Sequence, residues 1–440
     1  MRKNYSILNK ATGFALAATM MLGFTSCEDI LGHWEKPTPA VVTPEEPAAP
    51  TVTDLSMVDC AGNARTSLST ANCYMVHTAG DYKLPLVYGN AIKDGAANTA
   101  AYTGVSGQLE TFHNHAGKAI TDPWIKNNKD ESDNDIVVST AELLWQDAEG
   151  LITDVGIIGD YLTLTVGKNA TEQEGNAVIA AKSSDDNIVW SWHIWVTKET
   201  FADATLTTVA TGSHNYSVTP VNLGWVPTGG NSKQGYAPYY QWGRKDPFKG
   251  TGAPADLTVY DIDGTAIAGL TYTQSNDATI ADNIKNPTMF YYNSTDGPCN
   301  TQHYNMWDAQ QTATGNITTA TVKTVYDPCP AGFCVPTSNL FHFMGNGGSR
   351  NDNDWDGTNK GKTWKQATYP AYTTGPDLYF PNLACRKTDG TFGDDNRGHI
   401  WSASPESNTC GHSLEVFQDK WQSTFNGRHY GNSVRAVAEE

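Results

Sequence analysis

The stretch Ile188-Val189-Trp190-Ser191-Trp192-His193-Ile194-Trp195-Val196 constrains the fold of this chain more than any other. Indoles and β-branched side chains crowd it, and they favour extended backbone over helix. Alternation sends Ile188, Trp190, Trp192, Ile194 and Val196 to one face, and Val189, Ser191, His193 and Trp195 to the other. Apolar residues on both faces predict a central strand covered from both sides, as in a β-sandwich. His193 then reads as a satisfied core histidine, because nothing beside it completes a ligand set.

The N-terminus carries a different signal. Arg2, Lys3 and Lys10 precede an apolar run, 11–24, that is too short to cross a bilayer as a helix. The run closes on Leu22-Gly23-Phe24-Thr25-Ser26-Cys27, which resembles the lipobox of bacterial lipoproteins, with Phe24 in place of the usual Leu. The resemblance implies a leader, 1–26, and acylation of Cys27 by chains such as palmitate, hence export to the cell outer membrane. Glu28 and Asp29 follow, early acids of the kind that accompany surface exposure in some Gram-negative lipoproteins. Pro37, Pro39, Pro44, Pro47 and Pro50 exclude sheet and helix. In polyproline II form this part of segment 27–66 is a stalk reaching roughly 40 Å.

Runs at 82–88, 135–139, 151–158 and Tyr161–Val166 show strand patterning broken by Gly, Asn and Asp. Together with 188–196 they make 67–200 a first folded unit, the β-sandwich. Residues 205–440 form a second unit with many turns. Helices are expected at Ser338–Met344, with Thr337 or Ser338 as N-cap, and near 239–242. Strands are expected at 323–327 and 433–437. The chain is therefore expected to be mainly β, a sandwich followed by an α+β unit.

A net charge of -18, made more negative by loss of the cationic leader, disfavours nucleic acid and anionic membrane surfaces as partners. The 13 Trp and 20 Tyr are mostly core, and those left exposed can stack on sugars. Seven cysteines remain beyond Cys27, an odd number, in a chain that meets an oxidising compartment. Their spacing fits no zinc site.

Asp352, Asp354 and Asp356, followed by Gly357, alternate as calcium-loop carboxylates do, but Thr363 stands where a bidentate Glu belongs. The stretch is a candidate calcium site or a solvated acidic turn; no other cofactor is implied. Asp261-Ile262-Asp263-Gly264 reads as a hairpin turn. His113 and His115 read as a surface loop, and no hydrolase, zincin or P-loop motif is present. The Arg244-Lys245-Asp246 charges read as a local ion-pair network. The chain is read as a non-enzyme.

Three blocks carry a resemblance. Residues 71–76, 80–85 and 87–90 form the first; Leu144-Trp145-Gln146-Asp147, 175–180 and 190–196 the second. The third joins 239–248, Asp327-Pro328-Cys329-Pro330-Ala331-Gly332-Phe333-Cys334, 399–404 and 431–437. The first two resemble the N-terminal β-sandwich of fimbrium-associated surface lipoproteins. The third is similar to the major paralogous domain of exported bacterial proteins, with a C-type-lectin-like or formylglycine-generating-enzyme-like fold. The whole resembles fimbrium tip subunits.

That resemblance implies an adhesin in cell adhesion and biofilm formation, joined to other fimbrial subunits by strand addition and facing a glycan or protein ligand. It implies removal of an early strand by a trypsin-like protease, for which Arg65 is the candidate cut. It also implies a subunit that receives a strand and donates none, since little chain follows Val437. Members often carry Arg at the place of Cys334 and Cys at the place of Ala436, so a bridge from Cys329 to the last strand is lost here. Cys334–Cys385 and Cys299–Cys329 stay open as substitutes. The alternative function is a free-standing glycan-binding lipoprotein for polysaccharide uptake. A third is an enzyme of formylglycine-generating type using Cys329 and Cys334.

Overall fold

The computed structural model describes residues 52–252, 255–275, 277–292, 303–387, 389–393 and 396–440. The expected leader, Cys27, the proline-rich stretch up to 51 and Cys299 lie outside the described residues. The described part is mainly β, with strand outweighing helix 41% to 7%.

Two sheets occupy the first half. One has the order Ala266–Ile267, Val259–Tyr260, Val138–Gln146, Gly175–Ser183, Ile188–Val196 and Cys73–Val76, the last being strand β2 here. The other orders Thr53–Asp54 (β1), Gly80–Pro85 (β3), Tyr161–Val166 and Ile152–Ile158. The strand 188–196 is internal, antiparallel to Gly175–Ser183 and parallel to β2. Its faces divide as the alternation predicts. Trp192 and Ile194 share a core with Leu84, Leu162 and Leu164 of the other sheet. On the opposite face Ser191 donates to Asp246 (2.6 Å), His193 Nε2 meets Asn176 Oδ1 (2.9 Å) and Trp195 Nε1 donates to the Trp225 carbonyl (3.1 Å). Burial holds the His193 imidazole down to about 3, so it is a neutral core group.

The second half is built on a sheet ordered Ser349–Asn351, Lys420–Gly427, Cys410–Val416, Gly398–Pro405, Gly431–Val434, Cys385–Arg386 and Phe392–Gly393. Helix α2 (Ser338–Met344) lies where Pro336-Thr337 predicts it; its Leu340, Phe341 and Met344 join Ile400, Leu414 and Trp421 in a second core. Thr337 takes the N-cap position, but its hydroxyl donates to the Thr319 carbonyl (3.0 Å), so it does not cap through its side chain. Trp401 and Val434 are fully buried, as expected of core positions. The Asp261–Gly264 stretch is the expected hairpin turn, closed by Asp261 N–H to the Thr265 carbonyl (2.9 Å).

Local expectations differ from the structure in several places: the strand expected at 135–139 begins only at Val138, and the one expected at 433–437 breaks at 435–436. Residues 239–242 are extended: Tyr240–Gln241 pairs with Asn432 and Gly431, and Gly243, at φ +87° against Met306, turns the chain. Only Lys323 pairs, as an isolated bridge with Asp308; residues 324–327 then turn, closed by the Asp327 N–H to the Thr324 carbonyl (3.1 Å), and the Asp327 carboxylate accepts from the Cys329 and Val335 N–H groups. A six-residue helix (Ile280–Lys285), α1 in chain order, is present where none is expected, started by a capping box between Thr279 and Asp282.

Residues 67–200 and 205–440 are not separated by a break in packing. They belong to one compact unit, Pro50–Glu440, and a single apolar core runs from Leu84 and Trp192 to Trp307, Trp401 and Val434. The hairpin 259–267 extends the first sheet, with Tyr260 paired to Gln146.

Two buried asparagines of the first half clamp the 324–327 turn of the second. Asn72 Nδ2 donates to the Val325 and Asp327 carbonyls (2.7 and 2.8 Å), while its Oδ1 accepts from Trp190 Nε1 (3.1 Å). Asn90 Nδ2 donates to the Thr324 and Asp327 carbonyls (2.6 and 3.0 Å). Gly89 is required beside them, since a Cβ there would lie 1.9 Å from Asn72 Oδ1.

This shared core predicts one cooperative unfolding transition for residues 52–440 by calorimetry. Asn72→Ala, which removes three buried hydrogen bonds, is expected to cost about 3 kcal/mol while keeping a single transition. Two resolved transitions in the unsubstituted protein would refute the coupling.

Candidate functional site

A groove of about 570 Å3 lies at the edge where β2 and β3 approach each other. Its floor includes Met75, Val76 and Tyr82, its far wall Thr197 and Lys198, and its roof Leu55 and Val58. The roof belongs to a strap, 53–65, that precedes the sandwich in the chain.

The strap is held by local polar grammar. β1 pairs parallel with β3, Thr53 opposite Tyr82 and Asp54 opposite Lys83, so it occupies the outer edge of the four-stranded sheet. Asp54 caps a single turn, Leu55–Met57, accepting from Ser56 N–H (3.0 Å). Asp59 Oδ1 accepts from the N–H groups of Ala61 and Asn63 and folds the next turn; Val58 bridges Ala64. His77 ties the strap to the body: one ring nitrogen meets the Cys60 carbonyl (3.2 Å), the other the Thr197 carbonyl (2.7 Å). Leu55 is the buried apolar anchor.

Arg65 closes the strap. Its N–H donates to the Met57 carbonyl (2.7 Å), and its guanidinium donates to the carbonyls of Val58 and Ala331 (both 3.2 Å). The side chain is half-buried, whereas Ala64 and Thr66 on either side are exposed. A trypsin-like protease must therefore withdraw the guanidinium from two hydrogen bonds before cutting after it.

The acidic turn does not gather its carboxylates around one point. Asp352 pairs with the fully buried Lys362 and accepts from Tyr369 OH (3.0 Å) and Trp421 Nε1. Asp354 pairs with Lys365 (2.6 Å) and Thr368 (3.0 Å). Asp356 accepts from the side chain of Asn359 (2.7 Å) and its backbone N–H (3.0 Å), which hold its carboxyl below the usual range. Among the described residues no group of three or more His, Cys, Asp or Glu is placed to hold a metal ion. The alternation puts each carboxylate on a separate protein donor because the segment around Trp355–Asp356 is strand, not a curled loop.

The cysteines Cys60, Cys73, Cys329, Cys334, Cys385 and Cys410 are free thiols in the structure. Burial, joined by the charge of Asp327, pushes the thiols of Cys329 and Cys334 well above their ordinary value and makes both poor nucleophiles. Lys245 and Asp246 form the expected ion pair (2.6 Å), but it is wholly buried, with Lys245 also donating to Ser191. Arg244 turns instead to backbone carbonyls, including that of Met289 (2.7 Å). His113 is half-buried and donates its backbone N–H to Tyr326 OH (2.8 Å), whereas His115, read as part of a surface loop, is buried.

Sequence reasoning reached Arg65 but not the strap's seating or the groove. The Asp54-Leu55-Ser56 and Asp59-to-Asn63 spacings are turn signals that mark the strap as ordered. The groove itself lies between strands distant in sequence and leaves no local mark. Compared with protein-family models, curated proteins and solved structures, the chain matches none.

Two outcomes follow from this geometry. Leu55→Ala costs ~2 kcal/mol or more of strap seating and is expected to raise the rate of trypsin cleavage after Arg65 at least about tenfold, read by mass spectrometry, because cutting tracks the open population. Asp352→Asn, which strands the buried Lys362, is expected to cost about 3–5 kcal/mol in urea unfolding, equally with and without calcium. Calcium-dependent stability of the unsubstituted protein would assign the carboxylates to a metal instead.

Proposed function

We propose that the chain is the lipid-anchored precursor of a fimbrium tip subunit, a surface adhesin of the cell outer membrane. In this reading Cys27 carries the acyl anchor, the strap is a placeholder, and cleavage after Arg65 frees it. A strand of a neighbouring subunit then fills the groove along β3. The half built on residues 205–440 is a C-type-lectin-like unit that faces the ligand.

The observation that carries this reading is the placement of β1. It is short, parallel and at the sheet edge, and the only arginine or lysine between residues 52 and 66 follows it. Loss of the strap would free the outer edge of β3 at Tyr82 and Lys83, its other edge staying paired with Tyr161–Val166, and would open the groove at Met75, Val76 and Tyr82, a surface that strand addition satisfies. Val437–Ala438, by contrast, lies between Phe333–Cys334 and Asn215–Val218 and is already spent within the fold.

Fimbriae sheared from cells are expected to contain this chain beginning at Thr66, with immunogold label at filament ends. Arg65→Ala is expected to leave an intact precursor on the membrane and none in the filament. Uniform membrane label, no filament label and retained polysaccharide binding would favour a free-standing glycan-binding lipoprotein.

A further inference from the structure

The chain buries almost every indole. Among the described tryptophans only Trp124 and Trp355 are not buried. Trp124 forms one wall of a cleft of about 200 Å3 at the end of the sandwich. Leu86 and Ile136 make its floor, and the turn following Ile152–Ile158 makes the opposite wall. Lys126 and Asp160 sit on its rim as an exposed ion pair (2.6 Å), with the Lys126 ammonium 5.8 Å from the indole centroid. We propose that this cleft binds a single uncharged pyranose ring, stacked on Trp124 and hydrogen-bonded through its hydroxyls to Lys126 and Asp160. The proposal rests on the adhesive reading above and adds to it a sugar site on the first half, separate from the ligand face of residues 205–440.

The cleft is preformed. Asp122 Oδ1 accepts from the Trp124 N–H (2.9 Å) and from Asn127 Nδ2 (3.0 Å), and Asn128 Nδ2 donates to the carbonyls of Asp122 (2.9 Å) and Trp124 (2.8 Å). The Ile125 N–H donates to the Leu86 carbonyl (3.0 Å), the Leu86 N–H to the Asp160 carbonyl (2.9 Å), and the Ile136 N–H to the Asn128 carbonyl (3.0 Å). Floor and both walls are therefore one hydrogen-bonded frame, and ordering them on binding costs little.

Size, surface and charge favour a sugar ring. The volume falls below the roughly 300–1,000 Å3 of drug-sized pockets and suits one ring. A pyranose presents an apolar C–H face that an indole covers, and a rim of hydroxyls that both donate and accept. Lys126 supplies donors and Asp160 acceptors, and their opposite charges cancel, so the rim selects a neutral ligand over an acidic one. The walls are a 3-10 turn after Trp124 and a hairpin tip at Gly159-Asp160, and Val137 and Val138 complete the lining.

The test is saturation-transfer NMR on the intact chain with methyl glycosides of glucose, galactose, mannose and N-acetylglucosamine. At least one is expected to receive saturation. Trp124→Ala is expected to weaken its binding about tenfold or more, equivalent to about 1.4 kcal/mol, with Trp124→Phe retaining part of it. Asp160→Asn, whose side chain pairs only with the exposed Lys126, is expected to weaken binding with an unchanged melting temperature, keeping the test valid should Trp124→Ala fold poorly. No transfer to any glycoside, or transfer that Trp124→Ala and Asp160→Asn leave unchanged, overturns the inference. Immunogold labelling and the Arg65→Ala result judge the tip-subunit reading separately.

Discussion

The asparagine clamp on the 324–327 turn holds the molecule together as one unit. Asn72 and Asn90 each spend an amide on carbonyls that a turn cannot satisfy by itself. Buried carbonyls without partners are costly, so the turn depends on the sandwich as much as the sandwich depends on the turn. Within the turn, Asp327 accepts the Cys329 and Val335 N–H groups; burial pushes its carboxyl above the usual range, against the pull of Lys323. Asn176 repeats the arrangement elsewhere, donating to Asp147 (2.8 Å) and to the Gly224 carbonyl (2.9 Å). Polar side chains thus supply the register between halves, and the continuous apolar core supplies most of the driving force.

The opposite arrangement governs the strap. It has one buried leucine, one two-residue ladder and a set of turns closed by its own carboxylates. Its contacts are few compared with those of the 188–196 strand, which is buried on both faces. A segment bound this way can leave without dismantling the core. The guanidinium of Arg65 donates to the Val58 carbonyl within the strap and to the Ala331 carbonyl outside it, and so latches the strap to the body.

Burial also sorts the residues that looked chemical. The thiols of Cys329 and Cys334, the imidazole of His193 and the Lys245–Asp246 pair all sit in the interior, where desolvation and local partners keep them unreactive. What faces water and is still shaped is the groove under the strap and the cleft at Trp124. Both are framed by backbone hydrogen bonds of the surrounding turns and strands.

The sequence by itself determined the strands with strong period-two patterning, the helix after Pro336-Thr337, and the mainly β character, because these follow from neighbours a few residues apart. Tyr161–Val166 and Ile188–Val196 appear with the expected bounds for that reason. It also singled out Arg65. Only the tertiary structure decided that 239–242 pairs with the 431–434 strand and that 324–327 turns rather than extends. It likewise gave Asp352, Asp354 and Asp356 separate partners, and joined residues of both halves in one core beside a second core within residues 205–440. The strand pairing and the turn are set by partners far along the chain, Asn432 for Tyr240 and Asn72 for Asp327, whereas the carboxylates find donors closer by, from Asn359 to Trp421; none of these pairings is written in a short local pattern.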